Sequence, residues 1–246
     1  MKFPWFDPWR VSPPAIWGKL PHHADFVRSG VRHGELEAWA SWLDGLDGPR
    51  HGAQADAATK ALALPVAFVL PPGVLAFAPR RFVLGVIAPS FDRVGRRHPL
   101  VVYQRAHPRW VQRHFEAQLR QPCDWQFWLA RAMARHVHPE GPAHLAAMKS
   151  TVKAVWRAQA ALSNTARRDG DIAPQAQQAG WLDRWAGPVR GDDPGARLHG
   201  VRYLPWADWP QCLQGTHADS AFWQQDAQGR FVGASHRLQS LWSGAS

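Results

Sequence analysis

The chain has 246 residues, 46% hydrophobic and 20% charged, a composition that is globular rather than disordered, and it is long enough to bury a sizeable core. Its net charge of +10 is spread along the length, with 12 basic against 8 acidic residues in 1–100 and 17 against 11 beyond, a weaker mark of nucleic-acid binding than one basic stripe. Cys123 and Cys212, the only cysteines, make neither a disulfide framework nor a metal spacing and fit a reducing compartment.

In chain order, "MKFPWFDPWR" lacks the apolar run of a secretory signal. Residues 14–20 read as an opening strand that stops at Pro21. A helix follows over 34–46, with Leu36, Trp39, Ala40, Leu43 and Leu46 on one face. The uncharged stretch 61–79 nearly spans a bilayer in length. Pro65, Pro71, Pro72 and Gly73 instead divide it into buried strands at 66–70 and 74–78, joined by a type II turn on Pro72-Gly73. Further strands are expected at 82–88 and 99–104, apolar enough to be covered on both faces.

Helices are then expected at 109–121, 123–137 and 143–161, the last with Lys149, Lys153 and Arg157 in line at i+4 spacing. Residues 163–197 are rich in Gly, Pro, Gln and Asp and read as loop. Strand patterns resume at 198–204, 219–225 and 230–235, and Trp206 and Trp209 flank a short helical piece. So aromatic a tail is expected to dock on the body. The expectation is one α/β domain over 1–246, with a core at 1–162, a loose region at 163–197 and docking strands at 198–246. Its mixed sheet is covered by helices.

Two polar stretches interrupt this apolar pattern, "GKLPHHADFV" at 18–27 and "PSFDRVGRRHPL" at 89–100. No phosphate loop, dinucleotide fingerprint, nucleophile elbow or zinc-protease helix occurs. His22 and His23 beside Asp25 lack a companion ligand cluster, and His136 and His138 are placed at a helix end, meeting carbonyls or solvent. Ser90, Asp92 and His98 lie too close in sequence to converge as a triad by the usual route of assembly from distant segments. The residues read better as backbone devices. Pro21 holds Leu20 extended, Asp25 caps a turn, Phe26 enters the core, Asp92 forms an Asx-turn and Gly95 supplies positive φ. Arg93 is expected to pair with Asp25 or Asp92, leaving Lys19, Arg96 and Arg97 to face an acidic partner or anion.

The same stretches carry a resemblance. "IWGKLPHHADFVRSGV" and "PSFDRVGRRHPL" resemble the two signatures of the TagF (ImpM) family of type VI secretion-associated proteins. Gly18, Lys19, Leu20, Pro21, Asp25 and Phe26 match the first. Pro89, Ser90, Asp92, Arg93, Gly95, Arg96, Pro99 and Leu100 match the second. Ala24 stands where the family usually has Gly, and His98 where it has an aromatic residue. The resemblance implies a cytoplasmic three-layer αβα sandwich, non-enzymatic and without cofactor or metal. It further implies a post-translational repressor of type VI secretion in Gram-negative bacteria, acting on a forkhead-associated scaffold protein. The competing readings are a hydrolase using the Asp92/Arg93/His98 loop and a basic nucleic-acid-binding protein.

Overall fold

A computed structural model describes residues 11–46, 64–111, 125–141, 144–165, 219–226 and 231–243. The elements are β1 (Ala15–Gly18), β2 (Val27–Ser29), α1 (His33–Asp44), β3 (Val66–Leu70), β4 (Phe82–Ala88), β5 (Leu100–Ala106), α2 (Trp125–Val137), α3 (Leu145–Thr165), β6 (Ala221–Gln225), β7 (Phe231–Ser235) and α4 (Leu238–Ser243). The protein is mixed α/β, with a seven-stranded sheet in the order β2-β1-β5-β4-β3-β6-β7.

Every pairing is antiparallel, which corrects the expected mixed sheet. The run of apolar residues reports only that both faces are covered. It is indifferent to strand direction, because each strand alternates its side chains between two buried layers. In β3, Val66, Phe68 and Leu70 enter one core cluster, while Ala67 and Val69 enter the other. Trp39 and Leu43 of α1 belong to the first cluster, and α2 and α3 supply the second.

On the α1 face, Trp39 is fully buried. Its ring centroid lies 5.8 Å from Phe68, 5.1 Å from Tyr103 and 5.5 Å from Trp42. Glu35, in the first turn of α1, ties the helix to the sheet. Its Oε2 accepts from the Tyr103 hydroxyl at 2.7 Å and from the Arg32 N–H at 3.3 Å. Arg105 Nη1 stands 3.0 Å from Oε1, an ion pair without hydrogen-bond alignment. Burial, then the hydrogen bond to the Glu35 carboxylate, pushes the Tyr103 phenol far above its usual range, so it remains a donor. On the opposite face the Gln126 amide of α2 donates to the carbonyls of Phe68 and Gly85, at 3.0 and 3.1 Å.

Among the described residues of 61–79 there is one strand, not two. The Pro71 carbonyl accepts from Val74 N–H at 3.3 Å, with Gly73 at φ 89°, as the type II turn requires. Beyond it, Gly73 N–H bonds Ala78 O and Ala78 N–H bonds Leu75 O, so 74–78 closes on itself. With those groups satisfied locally, β3 pairs with β4 on one side and β6 on the other. The stretch therefore supplies a central strand of the sheet, and among the described residues no helix is long and apolar enough to cross a membrane. A helical turn opens at Pro108, while most of the helix expected at 109–121 lies outside the described residues; of the loop expected at 163–197, residues 163–165 continue α3 and the rest lies outside them, as do the strand expected at 198–204 and the helical piece between Trp206 and Trp209. His136 also departs from expectation: it is buried, with Nε2 3.3 Å from Thr151 Oγ1 of α3.

Because Trp39 packs α1 against both β3 and β5, Trp39→Ala is expected to destabilise the protein by about 3–5 kcal/mol. The shift of the urea midpoint at unchanged slope measures it.

Candidate functional site

The two polar stretches meet at the end of the sheet where β1 lies beside β5. The first leaves β1 and turns back into β2. The second joins β4 to β5 as a tight hairpin, closed by a bridge between Phe91 and Arg97 and by bonds from Asp92 N–H to Arg96 O and from His98 N–H to Ser90 O.

Gly18 makes the approach possible. Its φ is 135°, and a Cβ there would collide with the Pro99 carbonyl, so only glycine lets β1 pass this close to the start of β5. Leu20 and Pro21 are buried, and Leu20 O accepts from His23 N–H to close a turn. The hairpin is stitched to this turn. Ser90 Oγ donates to Lys19 O at 2.7 Å, Arg93 N–H to His23 O at 2.9 Å, and Arg96 Nη2 to Ala24 O at 2.8 Å. His23 Nε2 in turn accepts from Leu145 N–H at the start of α3, at 3.3 Å.

Asp92 is the centre of the assembly. Its side chain is fully buried, and its two oxygens receive four donors. Oδ2 accepts from Lys19 Nζ at 2.8 Å and Arg96 Nε at 2.6 Å. Oδ1 accepts from the N–H groups of Val94 at 3.1 Å and Arg96 at 2.9 Å. The Val94 bond is the expected Asx-turn, and Gly95 has the expected positive φ, 89°. Burial raises the affinity of this carboxylate for a proton. The hydrogen bonds from Lys19 and from the Arg96 backbone and side chain outweigh that and hold its pKa well below the usual carboxylate range.

Three expectations are corrected here. Asp92 pairs with Lys19 and Arg96, not with Arg93, whose side chain is exposed. The residue after Asp92 in a tight turn points outward, while Lys19 approaches from the neighbouring strand end. Lys19 is itself buried and spent on Asp92, so it is not displayed to a partner. Phe26 does not enter the core. It is 45% exposed and stacks on Trp17 at 5.9 Å, with Lys19 Nζ 5.2 Å from its ring centre. Asp25 does accept the Phe26 N–H, at 2.8 Å.

The family's usual residues are absent at two positions, and the structure accommodates both. Ala24 has no positive φ. His98 fills an aromatic slot, its ring edge-on to Trp17 at 4.8 Å and to Phe26 at 4.6 Å. Its Nδ1 faces Pro99 O at 2.7 Å while the Ser90 hydroxyl is turned to Lys19 O, so Ser90, Asp92 and His98 do not form a proton relay. Among the described residues no group of three His, Cys, Asp or Glu could hold a metal.

Residues 15–155 match the TagF N-terminal domain, type VI secretion system-associated, and the chain belongs to that family. Among solved structures, the crystal structure of PA0076 from Pseudomonas aeruginosa PAO1 is similar at 24% identity and a TM-score of 0.41. The match covers 57% of this chain and 61% of that one, so the chain spans about three fifths of that protein's length. No curated protein matches.

Replacing Asp92 with Asn leaves Lys19 buried beside a neutral group and is expected to cost about 3 kcal/mol at neutral pH. Arg93→Gln, at an exposed side chain, is expected to change stability by no more than about 0.5 kcal/mol. The Asp92 contribution is present above the unfolded-state pKa of about 3.9 and declines as pH falls toward the depressed folded-state value. The stability gap between wild type and Asp92→Asn should therefore narrow below about pH 4, as read by denaturant titration across pH.

Proposed function

We propose that this chain is a non-enzymatic, cytoplasmic regulator that represses type VI secretion after translation by binding a forkhead-associated scaffold protein. The observation that carries the reading is the convergence of both family signatures on one buried ion cluster whose outer side is an exposed ledge. Family membership supplies the secretion context. The geometry supports binding over catalysis, because the central carboxylate is filled by four donors and has no free face for a reacting group.

In this reading Gly18, Lys19, Leu20, Pro21, Ser90, Asp92 and Gly95 position the two loops, while Asp25, Phe26, Arg93 and Arg96 contribute to the face a partner meets. The three-layer αβα description is supported by the two core clusters on opposite faces of the sheet. The single-domain reading of 1–246, with residues after 198 docked on a 1–162 core, is supported by four paired positions between β6 and β3.

The test is overproduction in a bacterium with an active type VI system. Secreted protein in the medium is expected to drop several-fold while the apparatus proteins stay at their normal level, and the scaffold is expected to co-purify with the chain. Unchanged secretion would sink the reading. The Phe26→Ala/Val94→Ser double variant, folded but altered on the ledge, is expected to repress less. A protease site inserted between 163 and 197 tests the domain reading: the cut fragments should co-elute from a sizing column, and clean separation would make the C-terminal segment a separate module.

A further inference from the structure

We infer that the outer face of the two clasped loops takes an acidic peptide segment of a partner protein, one that carries an apolar side chain among its carboxylates. This rests on the binding reading above and adds the chemistry of what is bound. Four large apolar side chains are conspicuously exposed among the described residues, and two of them, Phe26 at 45% and Val94 at 58%, stand on these adjoining loops. Phe26 is held rigidly for a surface residue. One side of its ring stacks on Trp17, the His98 ring abuts it, and its N–H is tied to Asp25. A preorganised, half-exposed aromatic ring loses little conformational entropy on binding, which suits it to anchor an apolar side chain.

The charge around this anchor is not balanced. The loops and β2 carry Lys19, Arg28, Arg93, Arg96 and Arg97 against only Asp25 and Asp92. Asp92 is already shared between Lys19 and Arg96, so Asp25 is the one carboxylate on these segments left for Arg28, Arg93 and Arg97. Arg93 and Arg28 are exposed and form no ion pair among the described residues. Arg96 uses Nε and one Nη2 bond internally, which leaves its Nη1 edge available on a side chain that is 55% exposed. The buried Nε of Arg97 has no hydrogen-bond partner among the described residues. Arg28 lies opposite Trp17 in the β1–β2 pairing, and Phe26 stacks on Trp17, which puts the arginine and the ring on one face. Surplus guanidinium groups beside an apolar ring complement carboxylates beside an aliphatic or aromatic residue. The apolar half sets this apart from a site for a free anion.

The experiment is selection of phage-displayed random peptides on the full chain. Enriched sequences are then measured as synthetic peptides by fluorescence anisotropy at low and high salt. Enrichment of Asp or Glu within a few positions of an apolar residue is expected, with affinity that falls as salt rises. Binding should weaken about tenfold in Phe26→Ala and in the Arg28→Gln/Arg93→Gln double variant, both of which alter surface groups only. Failure to enrich any sequence, enriched peptides without acidic residues, or binding untouched by these variants overturns the inference. So does equal binding of poly-aspartate, which lacks the apolar element, and so does enrichment of sequences matching this chain itself, which indicates a self-contact. Peptide binding that is lost in the arginine variant, while overproduction of neither chain changes secretion, keeps this site and removes the repressor reading. Repression lost in that variant with no peptide selected keeps the reading and removes this chemistry.

Discussion

The shape of the sheet end where β1 lies beside β5 depends on the Asp92 carboxylate. A fully buried carboxylate is costly to desolvate unless its lone pairs are met, and here four donors from two separate segments meet them. Lys19 comes from the end of β1, while Arg96 and the Val94 N–H come from the hairpin itself. Satisfying one charge therefore fixes the hairpin conformation and its position against the first loop together. Leu20 anchors the first loop in the core, but the hairpin over 89–97 contributes no residue to the buried apolar set. The ion cluster supplies specificity of arrangement where hydrophobic packing cannot, since packing alone leaves polar loops free to slide.

The sheet gives that cluster a rigid base. β1 and β5, which bring Lys19 and Pro99 to the same end, are paired from Ala15 with Tyr103 to Trp17 with Val101. β5 is held in turn by β4 along its whole length and by α1 through Glu35 and Tyr103. Trp17 links the two levels, since it is a strand residue of the core and also the surface on which Phe26 stacks. An exposed ring is thus continuous with the packed interior, and His23 extends the connection to α3.

Much of this was legible in the sequence, and the failures have physical causes. Apolar runs bounded by Pro and Gly located β3, β4, β5, β6 and β7, and helical periodicity located α1, α2 and α3. The strand expected at 74–78 was misread because an apolar run of five is equally compatible with a compact turn whose N–H groups bond locally. β2 is only three residues long, too short for any periodic signal. α4 did leave one, with Leu238, Leu241 and Trp242 at i, i+3 and i+4, but it sits in the chain's last few residues. At the site, local rules served well: Asp92 and Gly95 behave as turn chemistry dictates. The pairing of Asp92 was missed because it is non-local. Lys19 and Asp92 are 73 positions apart, and nothing in either stretch alone says that a lysine reaches the carboxylate while the adjacent arginine turns outward.

That outward turn separates two kinds of residue that a sequence signature presents as equals. Lys19, Ser90 and Asp92 are buried and linked by hydrogen bonds, and Gly18 is packed against the Pro99 backbone, so substitution there acts first on geometry. Phe26, Arg93 and Val94 are exposed, so substitution there acts first on what the surface can meet. His98 illustrates the boundary: an imidazole in an aromatic slot keeps the flat surface against Trp17 and Phe26, so the contact survives a change of residue type. Arg96 spans both classes, with one edge of its guanidinium closing the Asp92 cluster and the other at the surface. A side chain that joins the two loops thus also reaches the surface with its outer edge.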